Sequence, residues 1–395
     1  MTTATIDMRP ELAAWGAVGS MTLCVTLLIA SEFMPVSLLT PMAHGLGTTE
    51  GVAGQAISVS GLFAVITSLL IPSISSRFDR RHVLTTLTAL MLASLVLVAL
   101  APNFPFLMAA RALLGITIGG FWSLSTATVM RLVPPASVSR ALGVMYMGNA
   151  VATAFAAPIG SYLGGAVGWR GVFWLLVPLA VVNVAWQWFS MPSMPPQQNV
   201  PLARMLALVK RPHVARAMAG VMLTFAGAFT AFTYFRPFLE QHTHASLPQL
   251  SLMLLALGAA GFLGTLGAGV LQEGHLYRML RVLPLGLAAA TFALLATGRL
   301  LWPVALTLAA WGTFNAAVPV SWFNWLAQAV PDEAEGAGGL MVAGIQLAIM
   351  LGAGLGGLLL DRISIAATML GGVALLVLAA VMVGRGDGLR PRSPV

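Results

Sequence analysis

Charged residues are scarce in this chain of 395 residues: Asp, Glu, Lys and Arg make up 8% of it, hydrophobic residues 58%, and the mean hydropathy is +0.90. Soluble globular domains carry about 25% charged residues, so the composition excludes a soluble enzyme and a nucleic-acid-binding domain. Cys24 is the single cysteine, which excludes an internal disulfide. The sequence also lacks a Gly-Lys-Ser/Thr phosphate loop and the His-Glu-x-x-His and Gly-x-Ser-x-Gly motifs. ATP-driven pumping and hydrolysis therefore have no support, and we expect no enzyme.

Long apolar runs recur along almost the whole chain. A helix that crosses a bilayer needs about 20 mostly apolar residues, and twelve such spans are predicted, at 14–40, 52–73, 83–101, 106–130, 139–165, 172–190, 215–238, 248–271, 283–299, 303–328, 337–360 and 365–384. A segment rich in proline, residues 191–213, separates six spans from six. We predict an all-α membrane protein with an N-terminal six-helix bundle (1–190), a cytoplasmic linker (191–213) and a C-terminal six-helix bundle with a short basic tail (214–395).

The basic residues predict the orientation of these spans. Lys and Arg number 20 against 12 acidic residues. If both termini are cytoplasmic, 15 of the 20 fall on that side: Arg9, Arg77, Arg80, Arg81, Arg131, Arg140, Arg204, Lys210, Arg211, Arg216, Arg278, Arg281, Arg385, Arg390 and Arg392. Loops that are rich in Lys and Arg remain in the cytoplasm. The net charge of +8 is therefore explained by membrane topology, with the lipid bilayer as partner and no nucleic acid.

Two charged side chains within the predicted spans are candidates for proton coupling. Glu32 is the only acid well inside a span, and Arg111 is its clearest basic counterpart. Ionisable groups in hydrocarbon are costly and mark functional sites by default, and their depths along the first and fourth spans allow them to meet. A static ion pair that locks two helices is the alternative interpretation. Arg236 lies near the outer end of the seventh span, where it can extend to the membrane interface.

Polar and aromatic residues at helical spacing suggest a substrate site between the two bundles. Aromatic faces beside amide groups suit a planar ligand that forms hydrogen bonds, such as a nucleobase. The alternative is that the aromatic residues fill the bundles and the amides bond to neighbouring backbone. The candidate residues are Trp122, Tyr146, Asn149, Phe225, Phe229, Trp311, Asn315, Trp322 and Gln346. No cluster of cysteines or carboxylates supports a metal near His242 and His244.

The two predicted halves resemble each other. A basic loop follows the second span and contains Arg77, Asp79, Arg80 and Arg81, and another, residues 277–281, follows the eighth. Two repeated six-helix halves with a site between them are typical of major facilitator transporters. Gly115 with Gly119 and Gly352 with Gly356 form G-x-x-x-G patterns, which favour close helix packing.

Several segments resemble one branch of that superfamily. Glu-Phe-Met-Pro-Val-Ser-Leu-Leu-Thr-Pro-Met-Ala (32–43), Glu-Gly-Val-Ala-Gly-Gln (50–55) and Gly-Gly-Phe-Trp-Ser (119–123) are similar to its drug:proton antiporters. Met-Arg-Leu-Val-Pro-Pro (130–135), Gly-Trp-Arg-Gly-Val-Phe (168–173) and Phe-Thr-Tyr-Phe-Arg-Pro (232–237) resemble the purine ribonucleoside exporters of that branch. The resemblance implies export of inosine- and guanosine-like nucleosides from the cytoplasm by proton antiport. It implies no cofactor, since the proton gradient supplies the energy, and a monomer is expected.

The chain departs from the family in two motifs. In the signature of the loop after the second span, Pro72, Ser76 and Asp79 replace Gly, Asp and Gly, while Arg77, Arg80 and Arg81 are kept. The fifth span keeps Pro158 of the antiporter signature but not its glycines. Export of sugars or assorted drugs on the same fold therefore remains an alternative, and a membrane scaffold or sensor without transport is a second one.

Overall fold

The computed structural model describes residues 14–196, 201–271 and 275–390. Arg9, Arg392 and residues 197–200 of the predicted linker lie outside the described residues. Within those ranges the chain is helical and contains no β-strand.

The N-terminal bundle consists of α1 (Trp15–Ser37), α2 (Leu39–Leu46), α3 (Glu50–Ser75), α4 (Arg80–Leu100), α5 (Phe104–Leu132) and α6 (Val138–Ser190). The short α7 (Leu202–Ala207) lies in the linker. The C-terminal bundle consists of α8 (Pro212–Phe232), α9 (Phe235–Gln241), α10 (Leu247–Leu271), α11 (Leu276–Thr297), α12 (Leu301–Ala329), α13 (Ala334–Arg362) and α14 (Ile365–Val383).

Helix α6 contains two membrane crossings. Its 53 residues are interrupted at Gly168, whose φ of 71° is accessible mainly to glycine. Ser190 at its end lies beside Ser20 near the start of α1, and Val144 near its beginning accepts a hydrogen bond from Thr22. The chain therefore reverses direction at Gly168. With ten further long apolar helices, the prediction of twelve crossings in two six-helix halves is confirmed.

The first and seventh crossings end in short additional helices. The chain bends at Leu38 between α1 and α2, and at Thr233 and Tyr234 between α8 and α9. Helices α2 and α9 lie on the side away from Ala14 and Arg390. We call that side the distal end and the side of Ala14 and Arg390 the terminal end. The predicted spans 14–40 and 215–238 each run across such a bend, so hydropathy does not resolve the break.

The two halves repeat the same close helix contacts. Thr26 on α1 donates a hydrogen bond to the Gly148 carbonyl of α6, and Thr230 on α8 donates to the Gly352 carbonyl of α13. Gly115 and Gly119 on α5 leave no space for a side chain against the backbone of α3. Gly312 on α12 packs in the same way against the backbone of α10. The predicted repeat is therefore present in the packing, with small residues where helix backbones meet.

The bundles contact each other mainly through α3 with α13 and α6 with α10. Ser58 donates to the Met350 carbonyl, and Gln55 donates to that of Gly354. Seven hydrogen bonds that join the bundles directly in the described ranges involve the distal halves of their helices. The structure is therefore closed at its distal end.

Candidate functional site

Glu32 lies at the centre of the interface between the bundles. Its helix α1 is held against the C-terminal bundle by the next residue, Phe33, whose ring lies 6.0 Å from that of Phe229 and 5.8 Å from that of Phe232. The Glu32 side chain is only 4% exposed, and the amide of Gln346 on α13 is within hydrogen-bonding reach of its carboxyl. The structure therefore brings together Glu32 from one bundle and Gln346 from the other.

Arg111 interacts electrostatically with Glu32 but is positioned by the backbone. Its Nε donates to the Ala56 carbonyl at 3.1 Å, and its Nη1 donates to the Ser31 carbonyl at 2.8 Å. Its Nη2 has no hydrogen-bond partner among the described residues. Backbone carbonyls of α1 and α3 therefore anchor the guanidinium. The predicted proximity holds, but the arginine is not fixed by an ion pair with Glu32.

Two aromatic side chains of the N-terminal bundle form a stack that is partly accessible. The rings of Trp122 on α5 and Tyr146 on α6 lie 5.9 Å apart and are inclined by 19°. Tyr146 is 41% exposed, and Asn149, less than one turn further along α6, is half-buried. A flat aromatic surface beside an amide can bind a planar polar ring by stacking and hydrogen bonds.

The predicted residues of the C-terminal bundle separate into two groups. Phe225 and Asn315 are half-buried, whereas Phe229 packs on Phe33. Trp311 and Trp322, at 0% and 1% exposure, lie in the core of the bundle. Trp311 stacks on Phe232 and donates to the Thr291 hydroxyl at 3.1 Å, and Trp322 packs on Trp325. These two tryptophans fill the bundle in this conformation, as in the alternative interpretation of the aromatic pattern.

The loop between α3 and α4 is fastened to the beginning of the linker. Asp79 caps α4 through the Arg81 amide at 2.8 Å, and it accepts hydrogen bonds from the Ser193 hydroxyl and the Met194 amide. Partial burial acts to raise the pKa of the Asp79 carboxyl, but these hydrogen bonds outweigh it and hold the pKa below its ordinary value. Asp79, which replaces the glycine usual in the family, thus ties the loop to residues 193–194.

The other members of this predicted gate loop differ in environment. Arg81 donates to the Trp188 carbonyl, and its guanidinium lies over the Trp188 ring at 5.1 Å. Arg80 is buried, and Arg77 is exposed. Arg80 and Arg81 belong to the first turn of α4, just as Arg278 and Arg281 belong to α11 rather than to a loop. Both basic segments therefore begin helices at the terminal end.

Comparison with known proteins identifies the family. Residues 21–338 match the Major Facilitator Superfamily. The chain belongs to that superfamily. A relative from Pseudomonas aeruginosa, "Transcription regulatory protein OpdE", is 47% identical over 392 residues, which cover 97% of each chain. "Purine ribonucleoside efflux pump NepI" of Salmonella paratyphi B is 38% identical over 379 residues, which cover 96% of each chain.

Solved structures of other transporters share the fold of this major facilitator protein. The D-xylose-proton symporter matches with a TM-score of 0.73 at 16% identity, over 95% of this chain and 98% of that one. A bacterial homologue of the lysosomal transporter Spinster, inward-facing and unoccupied, matches with a TM-score of 0.71 at 16% identity over 95% of both chains. The chain is thus a multi-pass membrane transporter of a small molecule, not an enzyme.

The major facilitator fold also brings together a set of distal residues, of which the sequence analysis had named Arg236 alone. Thr40 on α2 lies between the carboxylates of Glu50 on α3 and Glu240 on α9. Arg236 pairs with Glu240 at 2.8 Å and donates to the Ser37 carbonyl, and Gln241 donates to Glu50 at 2.8 Å. We call Thr40, Glu50, Arg236, Glu240 and Gln241 the distal cluster.

The distal cluster corrects one expectation and had detectable signals in the sequence. Arg236 is 7% exposed and bonded across the interface, so the expectation that it extends to the membrane surface was wrong. Arg236 and Glu240 stand four residues apart, a spacing that places them on one helix face. Thr49 before Glu50 is a typical helix start. An acid at the end of a span hardly changes the mean hydropathy of that span, so the pattern does not mark it.

Proposed function

We propose that this chain is a proton-coupled antiporter that exports purine ribonucleosides such as inosine and guanosine. It would act as a monomer in the bacterial inner membrane, with both termini and the terminal end in the cytoplasm. Alternating access would expose the interface between the bundles first to one side and then to the other. The observation that carries the proposal is the buried Glu32 carboxyl between the bundles, in a chain 38% identical to a purine ribonucleoside efflux pump.

Glu32 is proposed to carry the proton. A carboxyl that is 4% exposed is costly to keep ionised unless a charge or hydrogen bonds compensate it. Arg111 and Gln346 supply that compensation in the closed arrangement. Because Gln346 belongs to the other bundle, separation of the bundles would remove its hydrogen bond and favour protonation of Glu32. Proton binding and bundle movement are then coupled through one contact.

The nucleoside is proposed to bind on the half-buried surfaces of both bundles. The stack of Trp122 and Tyr146 offers a face for the purine ring, with Asn149 beside it as a hydrogen-bonding group. Phe225 and Asn315 offer the corresponding groups on the C-terminal bundle. Sugar or multidrug efflux is the alternative substrate class, because related branches share the fold.

A second candidate function follows from the relative that is 47% identical and is named a transcription regulatory protein. On this alternative the chain is a membrane sensor that binds a solute without transporting it. The buried Glu32, Arg111 and Gln346 favour transport, because a sensor has no need of a protonatable group between two moving halves.

Transport of labelled inosine into inverted inner-membrane vesicles tests the proposal. We expect accumulation in the wild type when the vesicle interior is acidic, loss of accumulation when the pH gradient is collapsed, and competition by guanosine but not by arabinose. Glu32→Gln should abolish accumulation. Asp387→Asn, which neutralises an exposed acid beyond the last crossing, is the matched control and should transport normally.

Three outcomes contradict parts of the proposal. Accumulation in the Glu32→Gln variant at the wild-type rate would remove Glu32 from proton coupling. Gradient-driven flux of drugs or sugars but not of inosine would replace the substrate class. Saturable inosine binding without flux, in protein shown to be inserted, would favour the sensor.

A further inference from the structure

The hydrogen bonds of the distal cluster require a proton that ordinary ionisation does not supply. The Thr40 Oγ1 lies 2.8 Å from Glu50 Oε1 and 2.5 Å from Glu240 Oε2. A hydroxyl has a single hydrogen to donate. If both carboxylates were ionised, one of these two contacts would bring two oxygen atoms together with no hydrogen between them. One of the two acids must therefore donate to Thr40.

The geometry indicates which acid holds the proton. Glu240 pairs with the Arg236 guanidinium through its other oxygen, Oε1, at 2.8 Å, which favours its ionised form. The contact between Thr40 and Glu240 is short, as expected for a hydroxyl that donates to a carboxylate. Glu50 is then the donor to Thr40. Its Oε2 accepts from the Gln241 amide at 2.8 Å, which suits the carbonyl oxygen of a neutral acid.

The remaining charged groups near Glu50 leave this assignment unchanged. His44 on α2 interacts electrostatically with Glu50 in favour of its ionised form, and the larger effect of Glu240 opposes it. Asp361 at the end of α13 accepts from the Thr49 hydroxyl at 2.6 Å and from the Gly51 amide at 3.1 Å. These bonds join the bundles beside the cluster without involving the Glu50 carboxyl. His242 on α9 stacks on Phe238 instead, with the ring centroids 5.2 Å apart.

The cluster joins the two bundles. Thr40 and Glu50 belong to the N-terminal bundle, whereas Glu240 and Gln241 belong to the C-terminal bundle. Opening the distal end would move the Glu240 carboxylate and the Gln241 amide away from Thr40 and Glu50. The Thr40 hydroxyl could then donate its hydrogen to an ionised Glu50.

We propose that Glu50 is a second proton-binding residue of the transport cycle, which binds a proton when the distal end closes and releases it when the distal end opens. This proposal rests on the proposed proton-coupled export. An acidic exterior would then favour closure of the distal end, because the proton binds from the side that closes. The closed-to-open ratio should change about tenfold per pH unit where one proton is bound.

Distances between spin labels across the distal end test this proposal. Ala166→Cys and Leu300→Cys place labels on exposed distal positions of the two bundles, in a Cys24→Ser background reconstituted in nanodiscs. Glu32→Gln is included in every sample, so that proton binding at Glu32 does not contribute. We expect the short-distance population to rise as the pH falls from 9 to 5, and we expect the Glu50→Gln variant to remain closed at every pH.

Asp361→Asn is the matched control, because Asp361 also joins the bundles at the distal end. We expect it to shift the closed-to-open ratio by a constant factor and to leave its dependence on pH intact. Difference infrared spectroscopy on the unlabelled protein gives an independent measurement, since a protonated carboxyl band should disappear in Glu50→Gln.

The proposal is overturned if the distance populations do not respond to pH in this background, or if Glu50→Gln responds like its parent. It is also overturned if the Glu50→Gln variant is open throughout while Asp361→Asn stays closed. No nucleoside is present in these measurements. Failure here therefore leaves the transported substrate undecided, and failure of inosine transport leaves this result intact.

Discussion

Replacement of Gly119 by alanine tests how closely α5 and α3 approach. A Cβ at this position would collide with the Ala64 carbonyl oxygen and would lie 2.9 Å from the Ala64 Cα. Helix α3 cannot simply retreat, because Gly61 on its other side packs against Met350 of α13. Overpacking costs about 1–3 kcal/mol, whereas the change from glycine to alanine gains about 0.5–1 kcal/mol in a helix. The difference is a loss of about 0–2.5 kcal/mol, and we expect about 1 kcal/mol in stability.

The buried cysteine provides the assay. Cys24 is 0% exposed, so a thiol-reactive fluorescent maleimide should label it only as the protein unfolds. The midpoint of labelling on heating in detergent should fall for Gly119→Ala. Gly143→Ala on α6 is the matched control, because no atom lies within 4 Å of a Cβ built there. Its midpoint should stay the same or rise slightly.

A second substitution checks the physical reason. Gly115 contacts α3 one turn away, at the Ser60 carbonyl, so a single separation of the helices would relieve both collisions. The double variant Gly115→Ala, Gly119→Ala should therefore lose less stability than the two single variants lose in sum. If the midpoints of the two single variants, Gly119→Ala and Gly143→Ala, both lie at or above that of the wild type, the helices do not pack as closely as described.

Three further predictions concern single side chains. Asp79→Asn should lower the melting midpoint at neutral pH. The pKa of Asp79 is depressed, so its contribution to stability is present above the unfolded-state pKa and is lost as the pH falls through the folded-state pKa. The difference in melting midpoint between wild type and variant should therefore vanish in acid. A difference that does not depend on pH would contradict this reasoning. Trp311→Ala should destabilise the protein by about 3–5 kcal/mol, and a variant that melts normally but has a raised KM for inosine would show that Trp311 contacts substrate. Tyr146→Ala should raise the KM for inosine several-fold with little change in melting, and an unchanged KM would exclude the stack of Trp122 and Tyr146 from the site.

The number of crossings and the division into halves could be predicted because each depends on composition summed over about 20 residues. In a bilayer the backbone N–H and C=O groups must be hydrogen-bonded and the surface must be apolar, and long apolar helices meet both requirements. Helix ends were less predictable. The ninth crossing starts at Leu276 rather than at the predicted residue 283, because Arg278 and Arg281 lower its hydropathy although they lie on the helix.

The candidate site was predictable only in part, because its residues belong to helices far apart in the chain. Glu32 and Arg111 are conspicuous as charges in apolar spans, and both are buried as that pattern indicates. Hydropathy cannot show that Arg111 is held by the backbone of α1 and α3. Nor can helical spacing separate Trp311, which fills the bundle, from Tyr146, which is exposed.

Helix α1 carries Glu32 and ends beside the distal cluster, which contains Glu50 of α3. Its last residue, Ser37, accepts a hydrogen bond from Arg236 of the other bundle, five residues beyond Glu32. When the distal end opens, this bond, the contact of Thr40 with Glu240 and the contact of Gln346 with Glu32 must all change, because each joins the bundles. Movement of α1 would thus release a proton from Glu50 at the surface while it alters the surroundings of Glu32 in the interior. Glu32 on α1 and Glu50 on α3 would thus respond in opposite directions to one movement of the N-terminal bundle.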